Sequence, residues 1–231
     1  MFWTFVDPDQ VASGEVMIQG ERAHHLGRVL RVRRGEEGVV VAASREYRVV
    51  VSDVHRDLIL ARIVESVPLR TEPEIAVTVL QSLLPNPDFD AVVEGATAVG
   101  MSRLIAVEAA RSIRRSGPDR RTRWMAIAES AAAQSHRGRI PEILGPMALA
   151  EAIGRVTGTL LVLDPGADTE LKTSPKRDGA VCLAVGPEGG WTEAELATFS
   201  RAGARTVNLG PRILRARLAP VIATAILVAQ S

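Results

Sequence analysis

Val181-Cys182-Leu183-Ala184-Val185-Gly186-Pro187-Glu188-Gly189-Gly190 joins two contrasting patterns that together point to one architecture. Its first half is an unbroken apolar run, the pattern of a strand covered on both faces in a parallel sheet. Its second half is glycine and proline, residues that turn the chain and let main-chain groups come close to a ligand. The design recurs where residues 205–209 read as a strand and lead into Gly210-Pro211-Arg212-Ile213-Leu214-Arg215. In open α/β sheets ligands bind beyond the carboxyl ends of the strands, so two such loops define a candidate site. Neither loop is G-x-G-x-x-G, and no G-x-x-x-x-G-K-[ST] occurs, which disfavours dinucleotide and nucleoside-triphosphate binding by those devices.

Outward from this stretch, residues 75–80, 103–107 and 159–163 read as further buried strands, with helices between them. Asn86-Pro87 supplies an N-cap and a first helical proline, followed by Phe89, Val92, Val93, Ala96 and Val99 at helical spacing. A second helix covers about 120–135, with Trp124, Ile127, Ala128 and Ala131 on one face. Thr192 with Glu195 forms a capping box that opens a third. The last helix begins near Pro220 and is almost wholly apolar, so it is buried in the domain or against a second subunit. This alternation predicts an α/β domain with a mostly parallel sheet over residues 74–231.

Residues 1–68 follow another pattern. Short β segments at 16–18, 38–42, 47–51 and 58–64, separated by turn-rich pieces, suggest a small barrel. Residues 24–31 read as a helix with Leu26, Val29 and Leu30 inward, and the stretch from Pro68 to Pro73 reads as a linker.

The chain has 231 residues, 46% hydrophobic and 24% charged, as in ordinary soluble globular proteins. Its apolar runs are too short or interrupted to span a bilayer, and its start lacks a basic segment ahead of an apolar one. Cys182, the single cysteine, lies in an apolar run and reads as a buried thiol; with four histidines it offers no metal-ligand spacing. A cytoplasmic protein without metal or membrane is therefore expected. The net charge is +1, yet the cations cluster. Arg22, Arg28, Arg31, Arg33 and Arg34 form one group; Arg111, Arg114, Arg115, Arg120, Arg121 and Arg123 form another, with only Asp119 as an acid among them. Such groups are solvated or face an anion. Only Lys172 and Lys176 are lysines, a bias that suits phosphate recognition but that a GC-rich genome also produces.

The two loop motifs, together with Gln134-Ser135, Arg137, Arg139-Ile140-Pro141 and Leu84-Pro85, resemble the SPOUT RNA methyltransferases, specifically the RsmE family, which methylates N3 of a uridine in 16S ribosomal RNA. His24, Val29-Leu30-Arg31 and Gly35 resemble that family's PUA-like RNA-binding barrel. The resemblance implies a trefoil knot, an obligate homodimer and S-adenosylmethionine as cofactor, with 16S rRNA or the small ribosomal subunit as partner. By position it implies that Leu163, Val185, Gly186, Pro187, Glu188, Gly189, Gly190, Leu209, Gly210, Ile213 and Leu214 cradle the cofactor. Uridine N3 is a poor nucleophile until its proton leaves, and fixed positive charge favours the deprotonated ring. Arg137, Arg212 and Arg215 are the catalytic candidates, and Arg28, Arg31, Arg111, Arg114 and Arg115 the RNA-binding ones. Glu188 reads as a loop-fixing acceptor rather than a general base, and Trp191 as a packing residue rather than a stacking one.

The chain departs from the family pattern at three places. Asn86 stands where lysine is usual, Gly95 and Ala98 where lysine and glutamate are usual, and Ala216-Arg217-Leu218 replaces Thr-Glu-Thr. Two alternatives follow: a SPOUT enzyme acting on another nucleotide, or a non-catalytic RNA-binding or ribosome-assembly protein.

Overall fold

The computed structural model describes residues 1–112, 120–173 and 179–230. They divide into two compact units, Met1–Glu72 with Ala133–Arg139, and Pro73–Ala132 with Ile140–Ser231.

The first unit is a six-stranded sheet of β1 (Phe2–Phe5), β2 (Val11–Ala12), β3 (Glu15–Gln19), β4 (Glu37–Ala42), β5 (Arg45–Val54) and β6 (Leu58–Pro68), in the order β1-β4-β5-β6-β3-β2. β1 runs parallel to β4 and the other pairs are antiparallel. Strict alternation buries Val16 and Ile18 of β3 while their neighbours face out. Register shifts in the β5–β6 ladder bend the sheet around a core that includes Val40, Val49, Ile59 and Ala61. Strands β1 and β2 escape a sequence reading because they are too short to show a period.

Helix α1 (Gly20–His24) continues into a π-helical turn over His25–Val29. The wider turn breaks the 3.6-residue spacing on which the expected inward trio depended. Leu26 is buried, but Val29 is 62% and Leu30 52% exposed, which corrects that expectation. The 133–139 segment joins this unit through specific contacts. Trp3 stacks on His136 with ring centroids 4.7 Å apart, and its indole N–H donates to the Arg137 carbonyl at 3.0 Å. Gly138 packs closely there: a Cβ would meet the end of the Leu69 side chain at 2.6 Å.

The second unit contains β7 (Ala76–Ser82), α2 (Asn86–Ala98), β8 (Arg103–Glu108), α3 (Arg120–Gln134), β9 (Glu142–Ala148), α4 (Leu149–Gly154), β10 (Thr159–Leu163), β11 (Ala180–Val185), α5 (Glu193–Arg201), β12 (Arg205–Val207) and α6 (Ala219–Ala229). The strands lie in the order β12-β10-β11-β7-β8-β9 and every pair is parallel. Residues along β11 alternate between two cores. Val181, Leu183 and Val185 pack in the one that holds residues of α2 and α6, and Cys182 and Ala184 in the one that holds Trp191 and Phe199. This two-sided burial is what the continuous apolar run encodes. Burial pushes the Cys182 thiol up to about 12, so it stays protonated at neutral pH.

Asn86 is the first residue of α2 rather than its cap; Pro85 precedes it and no side chain caps the helix. Thr192 and Glu195 form the expected capping box. Helix α6 buries Ala219, Ala223, Thr224 and Leu227, and leaves Ile222 36% exposed. Gly95 of α2 admits this close packing, since a Cβ there would stand 2.9 Å from Val221.

Candidate functional site

Because β12, β10 and β11 are parallel neighbours, their carboxyl ends lie side by side on one sheet edge. The loops that leave them enclose a cavity of about 250 Å³. β10 contributes Leu163 with Asp164 and Pro165; β11 contributes Val185, Gly186, Pro187, Glu188 and Gly190; β12 is followed by Leu209, Gly210, Arg212, Ile213 and Leu214. Trp191, Leu196, Val207, Asn208, Ala216 and Ala219 complete the wall. The structure thus brings together most of the positions expected to hold a cofactor. Gly189 stands in the first loop but off the wall.

The first loop is held tightly. Gly190 N–H donates to Pro187 O at 2.8 Å, and Gly190 takes φ +69°, a left-handed conformation that favours glycine. Trp191 is 8% exposed and meets Phe199 edge-on, as its packing role requires. A Cβ on Gly186 would lie 3.2 Å from the Trp191 indole nitrogen, so glycine is what lets the ring close the floor. That nitrogen is buried without a hydrogen-bond partner. A further tie comes from Arg111, whose Nη1 donates to Gly189 O at 2.7 Å.

The second loop is framed by Asn208. Its Nδ2 donates to Ala167 O at 2.5 Å, and its Oδ1 accepts from Gly210 N–H at 2.9 Å. Its main chain bonds Thr169 O at 2.9 Å and accepts from Leu171 N–H at 2.9 Å, stitching this stretch to the 164–171 loop. Beyond that frame the chain is open, and Ile213 is 85% exposed.

The three catalytic candidates separate. Arg212 is exposed on the cavity wall. Arg215 is exposed but off the wall, and its carbonyl accepts from the start of α6. Arg137 is 3% exposed in the first unit, with Nη2 2.5 Å and Nε 3.2 Å from the two oxygens of Glu72. A guanidinium buried in a two-point grip of that kind ties chain segments together. The structure places Arg137 in the first unit and not among the residues that line the cavity.

The arginine cluster behind β8 also resolves in part. Arg123 pairs with Asp90 at 2.6 Å and Arg121 donates to Ile143 O at 3.1 Å, while Arg111 holds the first loop. Arg114 and Arg115 lie outside the described residues. Arg28 and Arg31 are exposed on the first unit. Sequence reasoning missed Asp164 and Asn208; their place at strand ends was a usable signal. The charge reversal at Arg217 is matched locally, because its Nη1 lies 3.0 Å from Asp88 of α2. Ala216 is buried at the cavity.

Among the described residues no group of His, Cys, Asp and Glu is arranged to hold a metal ion, and no helix is long and apolar enough to cross a membrane. A parallel sheet with a loop-built, glycine-lined cavity at its carboxyl edge defines a nucleotide-type cofactor-binding domain. The family model described as an RNA methyltransferase domain matches residues 71–228. Ribosomal RNA small subunit methyltransferase E of Mycobacterium tuberculosis is 31% identical over 95% of this chain and 88% of that protein. Its Synechocystis counterpart is 29% identical over 95% of this chain and 75% of its own length. The crystal structure of that methyltransferase from Neisseria gonorrhoeae, bound to S-adenosyl methionine, superposes with a TM-score of 0.87 at 28% identity, covering 96% of this chain and 95% of that one. The chain belongs to the ribosomal RNA small subunit methyltransferase E family of RNA methyltransferases.

Proposed function

We propose that this chain transfers the methyl group of S-adenosylmethionine to N3 of a uridine in 16S ribosomal RNA. The observation that carries the reading is the cavity at the joined carboxyl ends of β10, β11 and β12. Its residues fit an adenosine-containing ligand. Gly186 lacks the Cβ that would crowd the floor, two glycine loops line the cavity, and Asp164 stands at a strand end where a carboxylate accepts ribose hydroxyls. Bound there, the cofactor supplies a sulfonium methyl group already activated for transfer. The protein has two tasks: to align the base with that methyl, and to stabilise the N3 anion. Arg212, on the wall, supplies fixed positive charge that favours loss of the N3 proton to solvent water before the methyl group is transferred.

The stitching of Asn208 to the 164–171 loop supports a trefoil knot, in which the C-terminal chain passes through an earlier loop. The exposed apolar side chains of Leu218 and Ile222 support a homodimer with this edge at its seam. In the first unit, Arg28 and Arg31 beside the exposed Val29 and Leu30 support a PUA-like RNA-binding role, and the protein works in the cytoplasm on the small subunit or its rRNA. Calorimetric titration with S-adenosylmethionine tests the cofactor, with absence of binding refuting the enzyme. Mass mapping of small-subunit rRNA from a deletion strain tests the target: loss of a 3-methyluridine is expected, and its persistence refutes the assignment. A gel-filtration mass of one chain refutes the dimer.

A further inference from the structure

The exit of β8 and the first cavity loop belong to strands that are not neighbours, since β7 lies between β8 and β11. Two hydrogen bonds nevertheless tie the exit of β8 to the chain that follows β11, one at the loop and one at α5. Arg111 Nη1 donates to Gly189 O at 2.7 Å, and Ala110 N–H donates to Glu195 Oε1 at 2.8 Å. The other oxygen of Glu195 accepts from Thr192 N–H and from the Thr192 hydroxyl, each at 2.8 Å. One carboxylate therefore grips the chain leaving the loop with one oxygen and the chain leaving β8 with the other. Gly189 packs against Arg111: a Cβ there would meet Arg111 Cδ at 3.3 Å. Burial opposes ionisation of Glu195, but the N–H groups of Thr192 and Ala110, the Thr192 hydroxyl and the charge of Arg111 outweigh it and hold the carboxyl below its ordinary value. Glu195 is thus an anion, matched to three donors and a nearby cation.

We propose that Arg111 and Glu195 are positioning residues that clamp the Gly186–Gly190 loop in its ligand-binding shape from across the sheet edge. The physical need is specific to this loop. A chain of glycines samples many conformations, and each must be given up when a ligand takes main-chain hydrogen bonds from it. Holding the Gly189 carbonyl in the free protein removes that ordering cost from the binding step. Arg111 is exposed and lies off the cavity wall, so its effect passes through the loop rather than through ligand contact. The assignment replaces a direct RNA-binding role for this arginine. It rests on the methyltransferase reading only for the identity of the ligand.

The test uses the full chain carrying Arg111→Ala and Arg111→Lys. In hydrogen exchange of the free protein, Arg111→Ala is expected to speed exchange at the Gly190 amide, and unchanged protection there overturns the clamp whatever the ligand proves to be. In calorimetry, Arg111→Ala is expected to weaken S-adenosylmethionine about 5- to 20-fold with an unchanged melting temperature, and Arg111→Lys to recover part of the loss. Wild-type affinity in Arg111→Ala overturns the proposal, as does an affinity loss matched by a drop in melting temperature. A raised KM for RNA with unchanged cofactor affinity also overturns it, and returns Arg111 to the RNA. If the wild type binds no S-adenosylmethionine, the functional reading fails while the exchange result still decides the clamp.

Discussion

The two loops that make the cavity are built on the same plan and held in opposite ways. The Gly186–Gly190 loop is pinned by Arg111, by its own Gly190–Pro187 turn and by the buried Trp191. The Leu209–Leu214 loop is hydrogen-bonded at its base by Asn208, packs Leu209 and Leu214 against the core, and carries Ile213 exposed to 85% at its tip. One side of the site is tied by hydrogen bonds at its glycines; the other presents an uncovered apolar tip. That division reconciles preorganisation, which preserves affinity, with access, which a fully formed pocket would deny.

The largest effect is expected from deforming the Gly186–Gly190 side. Gly186→Val would drive a branched side chain into the Trp191 ring, and overpacking of about 1–3 kcal/mol corresponds to roughly 5- to 150-fold weaker cofactor binding. Unchanged affinity in calorimetry would show that the first loop is not rigid. Asn208→Ala removes the anchor of the second loop, leaving Gly210 N–H and Ala167 O without their partner. At about 1 kcal/mol per lost bond, the two together correspond to up to about 30-fold weaker affinity, and thermal unfolding should come several degrees earlier. Ile213→Ala should leave the melting temperature untouched, because the side chain is already in water. If the loop closes, burial of Ile213 is lost and affinity drops about 3- to 10-fold. Equal affinity would mean that it stays open.

The smallest effect is a pH dependence. The Glu195 carboxyl is held below its ordinary value in the folded protein. Its stabilisation is therefore complete above the unfolded carboxylate range and is lost as pH falls through the lower folded value. Comparing acid unfolding of the wild type with Glu195→Gln should show a shallower loss in the variant within that window, and parallel curves would remove Glu195 from the clamp.

Much of the second unit was legible because its strands are buried on both faces and its helices start with recognisable chemistry. The run through Val181–Val185 and the Thr192–Glu195 box needed no tertiary information. Strand β9 was not legible, since Gly145-Pro146 interrupts it. Leu163, Val185 and the two glycine loops were legible as a site because strand-end loops bind ligands in such sheets. The arginines were not. Arg137, Arg212 and Arg111 look alike in sequence, yet one is buried against Glu72, one stands on the cavity wall and one holds a loop carbonyl. An arginine's role is set by its partner, and these partners lie 65 and 78 positions away for Arg137 and Arg111.

The alternation of buried strands and capped helices, and the two glycine loops, follow from local periodicity and backbone freedom and are written in the chain itself. That β12, β10 and β11 lie side by side, so that both loops share one cavity, emerges in three dimensions alone. So does the choice of the arginine that lines that cavity. Strand order and charge pairing are long-range choices, made by the packing of the whole domain and carried by no single segment.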